Sequence, residues 1–253
     1  ETALSDYLVK MTGHSLNRTD RKEAGKLLNS VSDFERMGDY CIKIASVVVF
    51  NKEQGIVFTE AGKEELTYLI KASEQTLEAS LEAFEKDDMS SAIKVEPLYQ
   101  TVDALKDMLK EHHIARLTLG ECSTAAGISL IELVTAFDRI SSHCFNVTLH
   151  MMQKLNTDDT FDFHEQKHIM RESSKEEDIA LIQYYDNLYV KPVKNIGKKY
   201  RDQMKEAAVE ASKKKEEHKE KETASQTDHK ADAKKKKAEH TKDEIKKKLK
   251  KHK

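Results

Sequence analysis

Two carboxylates, Glu35 and Asp39, lie four residues apart in the stretch 27–50, which has the pattern of one long helix. Residues at this spacing share one helix face, so the two side chains project side by side. Glu35 also belongs to a heptad column whose other members are apolar: Leu28, Ile42 and Val49. We expect this column to be buried and Glu35 to lie at its edge, where an unpaired charge is costly. A metal ion or a basic side chain should therefore meet the pair.

The alternative to a metal is a network of ion pairs at the surface. Lys43 follows Asp39 by four residues and can pair with it on the same helix face. A basic residue from a neighbouring helix would then meet Glu35. The spacing of the carboxylates leaves both alternatives open.

A weaker copy of this stretch returns 103 residues later. The shift places residues 34–41 over 137–144, with Phe, Arg and Cys identical and with Glu35 replaced by Asp138. Ser142 stands where Asp39 would repeat, and His143 follows it. The sequence therefore predicts two copies of a three-helix unit.

Helical periodicity and caps predict the elements that position these residues. Asp20 and Glu23 form a candidate capping box for a helix that ends near Phe50. Thr59 is expected to cap the third helix, and Pro97 either kinks the fourth or marks its late start. The predicted helices are 2–11, 20–50, one from 59 that includes Phe84, 90–117, 124–155 and 175–190, with a resumption to 200 and a short turn at 164–170. The predicted units are 1–88, 89–200 and a tail, 201–253.

The composition favours helices and excludes several classes of protein. The 253-residue chain has two prolines and eight glycines, and 35% of its residues are charged. Its three cysteines form no CxxC pair, so we expect neither a disulfide framework nor a zinc knuckle, and a reducing cytosol fits best. No apolar run approaches the roughly 20 residues that span a bilayer. The chain starts without Met in an amphipathic pattern, so we expect it to be cut from a longer protein.

Charge divides the chain into an acidic body and a basic tail. Residues 191–253 hold 23 Lys and Arg against 12 Asp and Glu, whereas residues 1–190 hold 20 against 33. Beyond about Ala211 almost no apolar residue remains, which predicts disorder or a fraying helix. The tail could contact an anionic membrane surface. No specific nucleic-acid site is expected, because residues 201–253 have no aromatic side chains for base stacking.

A second candidate for metal chemistry is the segment 164–168, which matches HExxH. In zinc proteases two histidines at this spacing bind the metal and the glutamate acts as the base. No third ligand is evident, and an all-helical chain offers no strand edge to a peptide substrate. A di-metal oxidase needs Glu-x-x-His motifs on two facing helices, and only Glu165 and His168 have that spacing. A metalloenzyme is therefore the weaker hypothesis.

The remaining titratable side chains have structural explanations. His112 and His113 lie at the end of the fourth predicted helix, where they would face its C-terminal dipole and an interface. Cys41 and Cys144 fall at equivalent positions of the repeat and are predicted to be small buried residues.

At these residues the chain resembles the PhoU-like family. Residues 35–40, ERMGDY, are similar to the family's Glu-Arg-Ile-Gly-Asp-His signature, and 138–146 looks like its second copy. Residues 113–117, HIARL, followed by GECS at 120–123, are similar to PhoU domains attached to bacterial sodium/phosphate cotransporters. The resemblance covers roughly residues 1–190.

The resemblance implies two tandem three-helix bundles that regulate phosphate uptake without catalysing a reaction. It also implies that Glu35 and Asp39 are ligands of a divalent or iron-type ion, with Asp138 and His143 a degenerate second set. Clustered carboxylates suit such ions, and Fe, Zn, Mn, Ni and Mg are not distinguished. The family's partner acids on the first helix would precede Glu1.

The resemblance also implies a location and partners. We expect a cytosolic domain at the cytoplasmic face of the inner membrane, in one polypeptide with a transmembrane sodium/phosphate symporter segment. A homodimer is an open alternative for its assembly. The competing hypothesis is a free-standing PhoU-type regulator of phosphate ABC transport and signalling.

Overall fold

In the computed structural model, the described residues are 2–156, 162–171 and 176–209. Every regular element among them is a helix, which confirms the predicted all-α class. The first compact unit, residues 1–201, contains α1 (Thr2–Thr12), α2 (Arg18–Gln54), α3 (Glu60–Lys86), α4 (Met89–Thr118), α5 (Thr124–Leu155), α6 (Phe163–Arg171) and α7 (Glu176–Tyr185). A π-helical turn, Asp186–Val190, follows α7, and residues 191–201 are helical again.

A second compact unit begins at Asp202. Its described residues, 202–209, are helical. The predicted disorder beyond Ala211 lies outside the described residues, as do most of the predicted loop 156–162 and the predicted helix start at Lys175. No helix in the described part of the chain is both long and apolar enough to cross a membrane.

Capping side chains set the boundaries of the long helices. Asn17 caps α2 by accepting a hydrogen bond from the Asp20 backbone N–H at 2.8 Å, so the helix begins two residues earlier than the predicted Asp20. At the other end Gly55, with φ of 64°, lets the chain leave α2 four residues later than predicted. Thr59 caps α3 as predicted. Pro97 lies inside α4, which Asp88 caps, so it does not mark a late start.

The two repeat-related helices, α2 and α5, pack against each other in opposite directions. Ser129 Oγ donates a hydrogen bond to Asn51 Oδ1 at 2.6 Å, and Cys144 Sγ lies 3.5 Å from Met37 Sδ. These two contacts show that α2 and α5 are antiparallel. α5 also packs on α3 and α4, so helices of both predicted units share one core. The boundary between 1–88 and 89–200 stays a prediction.

The buried face of α2 is not the predicted column. Ile42 and Val49 are 68% and 55% exposed, so the column that contains Glu35 points largely to solvent. The buried stripe consists instead of Ser30, Asp33, Met37, Val47 and Asn51. Two of its polar members, Asp33 and Asn51, form hydrogen bonds with α5, so hydrophobicity alone pointed to the wrong face.

Apolar side chains from α3, α4 and α5 supply most of the core. Leu69, Leu98, Leu105, Leu109, Val134, Phe145 and Leu149 are all fully buried. Cys144 is buried in this cluster, as predicted, and burial raises the pKa of its thiol to about 12. Cys41 was predicted to be buried but is exposed. The repeat places the two cysteines at equivalent positions, but only α5 is surrounded by α2, α3 and α4.

Candidate functional site

The acidic pair Glu35 and Asp39 lies on the exposed side of α2. Asp39 pairs with Arg36, whose Nη1 is 3.8 Å from Asp39 Oδ2, and not with the predicted partner Lys43. Both side chains of this pair are more than half exposed, so the interaction is weak. Glu35 borders an apolar cavity of about 500 Å³, which Leu4 and Leu8 of α1 also line. The carboxylates are neighbours, as the spacing predicted, but they are accessible to water.

The two candidate ligands of the second repeat copy face different partners. Asp138 lies between α4 and α5, where Lys106 Nζ is 3.3 Å from its Oδ1. His143 faces α2 and donates from Nδ1 to Asp33 Oδ1 at 2.7 Å. The structure therefore does not bring Asp138 and His143 to a common centre.

Asp33 is the centre of the polar cluster that the structure forms around His143. It is 7% exposed, and its carboxylate accepts hydrogen bonds from His143 and, at 3.1 Å, from Asn146 Nδ2. His150 Nε2 lies 3.3 Å from the other carboxylate oxygen. We call Asp33, His143, Asn146 and His150 the Asp33 cluster. It joins the middle of α2 to α5 through charge-assisted hydrogen bonds.

Surrounding side chains hold the cluster in one geometry. The ring of Tyr40 stacks on His143 with centroids 6.0 Å apart, and Phe163 of α6 stacks on His150 at 5.0 Å. Lys167 Nζ donates to Asn146 Oδ1 at 3.3 Å, which directs the amide Nδ2 toward Asp33. Because these nitrogen donors of α5 converge on one carboxylate of α2, the cluster links the two helices.

The Asp33 cluster should make the stability of the fold decrease at acid pH. Burial by itself would raise the pKa of Asp33, but hydrogen bonds from His150, His143 and Asn146 hold it below its ordinary value. A carboxyl with a lowered folded-state pKa stabilises the fold above its unfolded pKa of about 3.9, and that contribution is lost as the pH falls through the folded value. The Asp33 contribution should therefore be complete near neutral pH and decrease progressively as the pH falls below about 4.

We expect Asp33→Asn to lower the free energy of unfolding by about 1–3 kcal/mol at pH 7, because it removes the charge from these hydrogen bonds. Urea unfolding at pH 7, 4 and 3 measures this. The difference between wild type and variant should shrink as the pH falls below 4. The matched control is Asp39→Asn, an exposed carboxylate on the same helix, measured with chelator present. A constant difference at all three pH values would contradict the role of the Asp33 carboxylate.

The Asp33 cluster had a signal in the sequence. His143, Asn146 and His150 are spaced i, i+3 and i+7, which places three polar side chains on one face of a predicted helix. Only His143 was chosen from this stripe, because it adjoins the repeat of the acidic pair. Asp33 gave no such signal, since its partners come from a helix more than 100 residues away.

The side chains that the structure describes fit a metal site poorly. No group of three or more His, Cys, Asp or Glu side chains in 2–156, 162–171 and 176–209 is placed to hold a metal ion. Glu35 and Asp39 supply two carboxylates, whereas structural and catalytic ions take at least three or four protein ligands, or keep several waters. Metal binding at this pair stays a prediction, and a tight site would need ligands from elsewhere.

Metal content tests this prediction directly. If Glu35 and Asp39 are ligands, protein dialysed against metal-free buffer should retain a metal, and Glu35→Ala and Asp39→Ala should each lower its content. Elemental analysis of the three proteins, with the exposed Glu53→Ala on the same helix as control, gives the answer. Wild-type protein without metal, or equal content in all variants, would end the hypothesis.

The HExxH segment lies in α6, where its three candidate side chains are exposed. His164, Glu165 and His168 belong to no metal-holding group in the described part of the chain. Phe163, which precedes the motif, packs toward His150 instead. The contacts of this helix are therefore those of a short element covering α5.

A second buried polar cluster contains His112, which was predicted to face the dipole at the C-terminal end of its helix. His112 is fully buried, and its Nδ1 lies 2.7 Å from Glu65 Oε1 of α3. Arg116, one turn further along α4, donates from Nη2 to Glu65 Oε2 at 2.8 Å. All three side chains are at most 1% exposed. This Glu65 network joins α3 to α4, and sequence reasoning missed it because Glu65 lies among other charged residues.

Segment 191–201 packs over the Glu65 network. The aromatic ring of Tyr200 lies 5.3 Å from the guanidinium carbon of Arg116. A Cβ atom placed on Gly197 would be 1.9 Å from two ring atoms of His112. A glycine is therefore required for the segment to approach α4 this closely.

Comparison with known families matches the PhoU domain to residues 66–149. The matched span contains most of α3, all of α4 and most of α5. It includes the second repeat copy with Asp138 and His143, and it leaves out α2 with Glu35 and Asp39. Neither curated proteins nor solved structures give a significant match to the chain.

Proposed function

We propose that this chain is a PhoU-type regulatory module that adjusts inorganic phosphate uptake by binding a membrane transport protein. The PhoU match over residues 66–149 carries the proposal, because that domain suggests phosphate-related regulation. The matched residues belong to α3, α4 and α5, which pack against one another in the core.

In its finer form, the proposal is the cytosolic domain of a sodium/phosphate cotransporter at the inner face of the membrane. The similarity of HIARL and GECS to the domains attached to such transporters supports this form. A free-standing PhoU-type regulator of phosphate ABC transport is the alternative. The homodimer and the contact of the basic tail with anionic lipid stay predictions, which gel filtration and vesicle sedimentation can test.

Exposed apolar side chains on α2 support a binding role. Ile42 and Val49, seven residues apart, lie outside the stripe that faces α5 and are more than half exposed. Phe50 is 52% exposed on the next position. Exposed apolar groups that share one helix face are typical of interaction surfaces. We propose the Ile42–Val49 face as the contact with the transporter.

Phosphate uptake in cells tests the proposal and separates its two forms. Cells that lack residues 1–201 should show altered uptake at one or more phosphate concentrations. The difference should vanish without sodium if the target is a cotransporter, and persist without sodium if the target is an ABC transporter. Unaltered uptake at every phosphate concentration would overturn the regulatory function.

Surface variants then test the contact. Ile42→Glu with Val49→Glu should change uptake as the deletion does, because two charges would enter an apolar interface. The melting temperature should stay close to that of wild type, since both positions are exposed. Lys71→Glu, an exposed change on α3, is the control. A double variant with normal regulation would exclude this face as the contact.

A further inference from the structure

The helical segment 191–201 has one face toward the core and the other toward water. Val193, Gly197 and Tyr200 are buried and share one face, since they are four and three residues apart. Gly197 approaches the ring of His112 and Tyr200 lies over Arg116, so this inner face packs on α4. The outer face of the segment is therefore held in a fixed orientation.

The outer face is basic. The segment contains five Lys and Arg residues and no Asp or Glu. Lys191, Lys194 and Lys198 are all exposed and follow the spacing i, i+3 and i+7, which aligns them along one side of the helix. We call these three residues the basic stripe. At 1.5 Å per residue it spans about 10 Å, close to the Debye length of roughly 8–10 Å near physiological ionic strength, so its charges act together on one surface.

Acids of neighbouring segments act on the inner face of this helix. Burial raises the pKa of Tyr189, and the charges of Glu78 and Glu74 on α3 add to this rise. Burial also raises the pKa of Tyr200, with a further contribution from Glu121. Both tyrosines are buried, whereas the basic stripe is exposed. The stripe therefore presents its positive charge to the surroundings of the protein.

Two exposed apolar side chains precede the basic stripe. Tyr184 of α7 is 58% exposed, and Leu188 of the π-helical turn is 42% exposed. Leu188 lies only three residues before Lys191. Aromatic and leucine side chains next to lysines are typical of helices that lie on a membrane surface, where the apolar groups enter the interface and the lysines meet phosphate. This combination favours a lipid surface as the partner of the stripe.

We propose that the basic stripe, together with Tyr184 and Leu188, binds the surface of a membrane that contains anionic phospholipid. The lysines pair with phosphate groups, and the two apolar side chains enter the interface. A single-stranded nucleic acid fits less well, because between residues 184 and 199 one aromatic ring is exposed for base stacking. This surface belongs to the first compact unit and is distinct from the predicted lipid contact of the tail, 201–253. It does not depend on the proposed regulation of phosphate uptake.

Sedimentation of the full chain with lipid vesicles tests the proposal. The protein should bind vesicles of phosphatidylcholine and phosphatidylglycerol but not vesicles of phosphatidylcholine alone, and added salt should weaken the binding. Lys194→Gln with Lys198→Gln should raise the lipid concentration at half-binding at least tenfold, since each lysine near an anionic leaflet contributes about fivefold. Lys43→Gln with Lys52→Gln, an equal loss of charge at exposed positions of α2, is the matched control and should leave it nearly unchanged.

A second variant separates lipid from other polyanions. Tyr184→Ser with Leu188→Ser keeps the charge, and both positions are exposed, so circular dichroism should stay unchanged. This variant should bind the anionic vesicles several times more weakly and should bind polyuridylate as wild type does. Unchanged vesicle binding in either double variant of this face, or an equal loss in the α2 control, would overturn the proposal. Tighter binding to polyuridylate than to vesicles would assign the face to nucleic acid and overturn it as well.

Discussion

Replacement of Glu65 by alanine should destabilise the protein by about 3–5 kcal/mol, the usual loss when one partner of a buried ion pair is removed. Glu65 is fully buried, and its two oxygens face His112 and Arg116. Arg116 is 1% exposed, so after the substitution its charge would remain in the core without a counter-charge. Urea unfolding followed by circular dichroism measures the loss.

Two comparisons isolate the charge effect. Glu64→Ala, at the adjacent exposed position of α3, should change stability by no more than about 0.5 kcal/mol. Glu65→Leu combined with Arg116→Met removes both charges and keeps volume, so it should recover much of the stability that Glu65→Ala loses. If Glu65→Ala were as mild as Glu64→Ala, the Glu65 network would not be what holds α3 to α4.

The sequence predicted helices well because caps and periodicity are local. The third helix begins where Thr59 was expected to cap it, and α5 has its predicted bounds. The errors at the start of α2 were also local, since Asn17 and Asp20 are both good caps and one turn apart. Only the hydrogen bond between them shows which one the chain uses.

The candidate site was harder to predict, because the sequence does not show which polar residues are buried against partners on another helix. Asp33 and Glu65 look like surface acids in the sequence, and each is buried by bonds to another helix. The exposed column of Ile42 and Val49 looks like a core stripe for the converse reason. Predicting burial from hydrophobic periodicity assumes that buried side chains are apolar. In α2 this assumption fails on the buried face and on the exposed face.

The two polar clusters constrain different pairs of helices. The Asp33 cluster joins α2 to α5, and the Glu65 network joins α3 to α4. Buried polar bonds of this kind fix register, because a helix displaced by one residue would leave each donor unpaired. They therefore specify how α2 is aligned with α5 and how α3 is aligned with α4, which the apolar core alone does less strictly.

Replacement of Gly197 by alanine should detach segment 191–201 from the Glu65 network. The new Cβ would lie 1.9 Å from the His112 ring, so the ring or the helix backbone would have to shift. His112 is fully buried and held by Glu65, so moving it would break that bond. We expect a local loss of about 1–3 kcal/mol, the usual cost of overpacking a core. Hydrogen exchange should show lost amide protection in 191–201, with α2 and α5 unaffected.

Gly38→Ala is the matched control, because nothing lies within 4 Å of a Cβ at that exposed position of α2. It should stabilise the protein by up to about 1 kcal/mol through helix propensity alone. A double-mutant cycle with His112→Ala then tests the contact, since removing the ring makes room for the added methyl group. Gly197→Ala should cost much less in that background than in wild type. An equal cost in both backgrounds, or full protection of 191–201 in Gly197→Ala, would show that the close approach to His112 does not hold the segment in place.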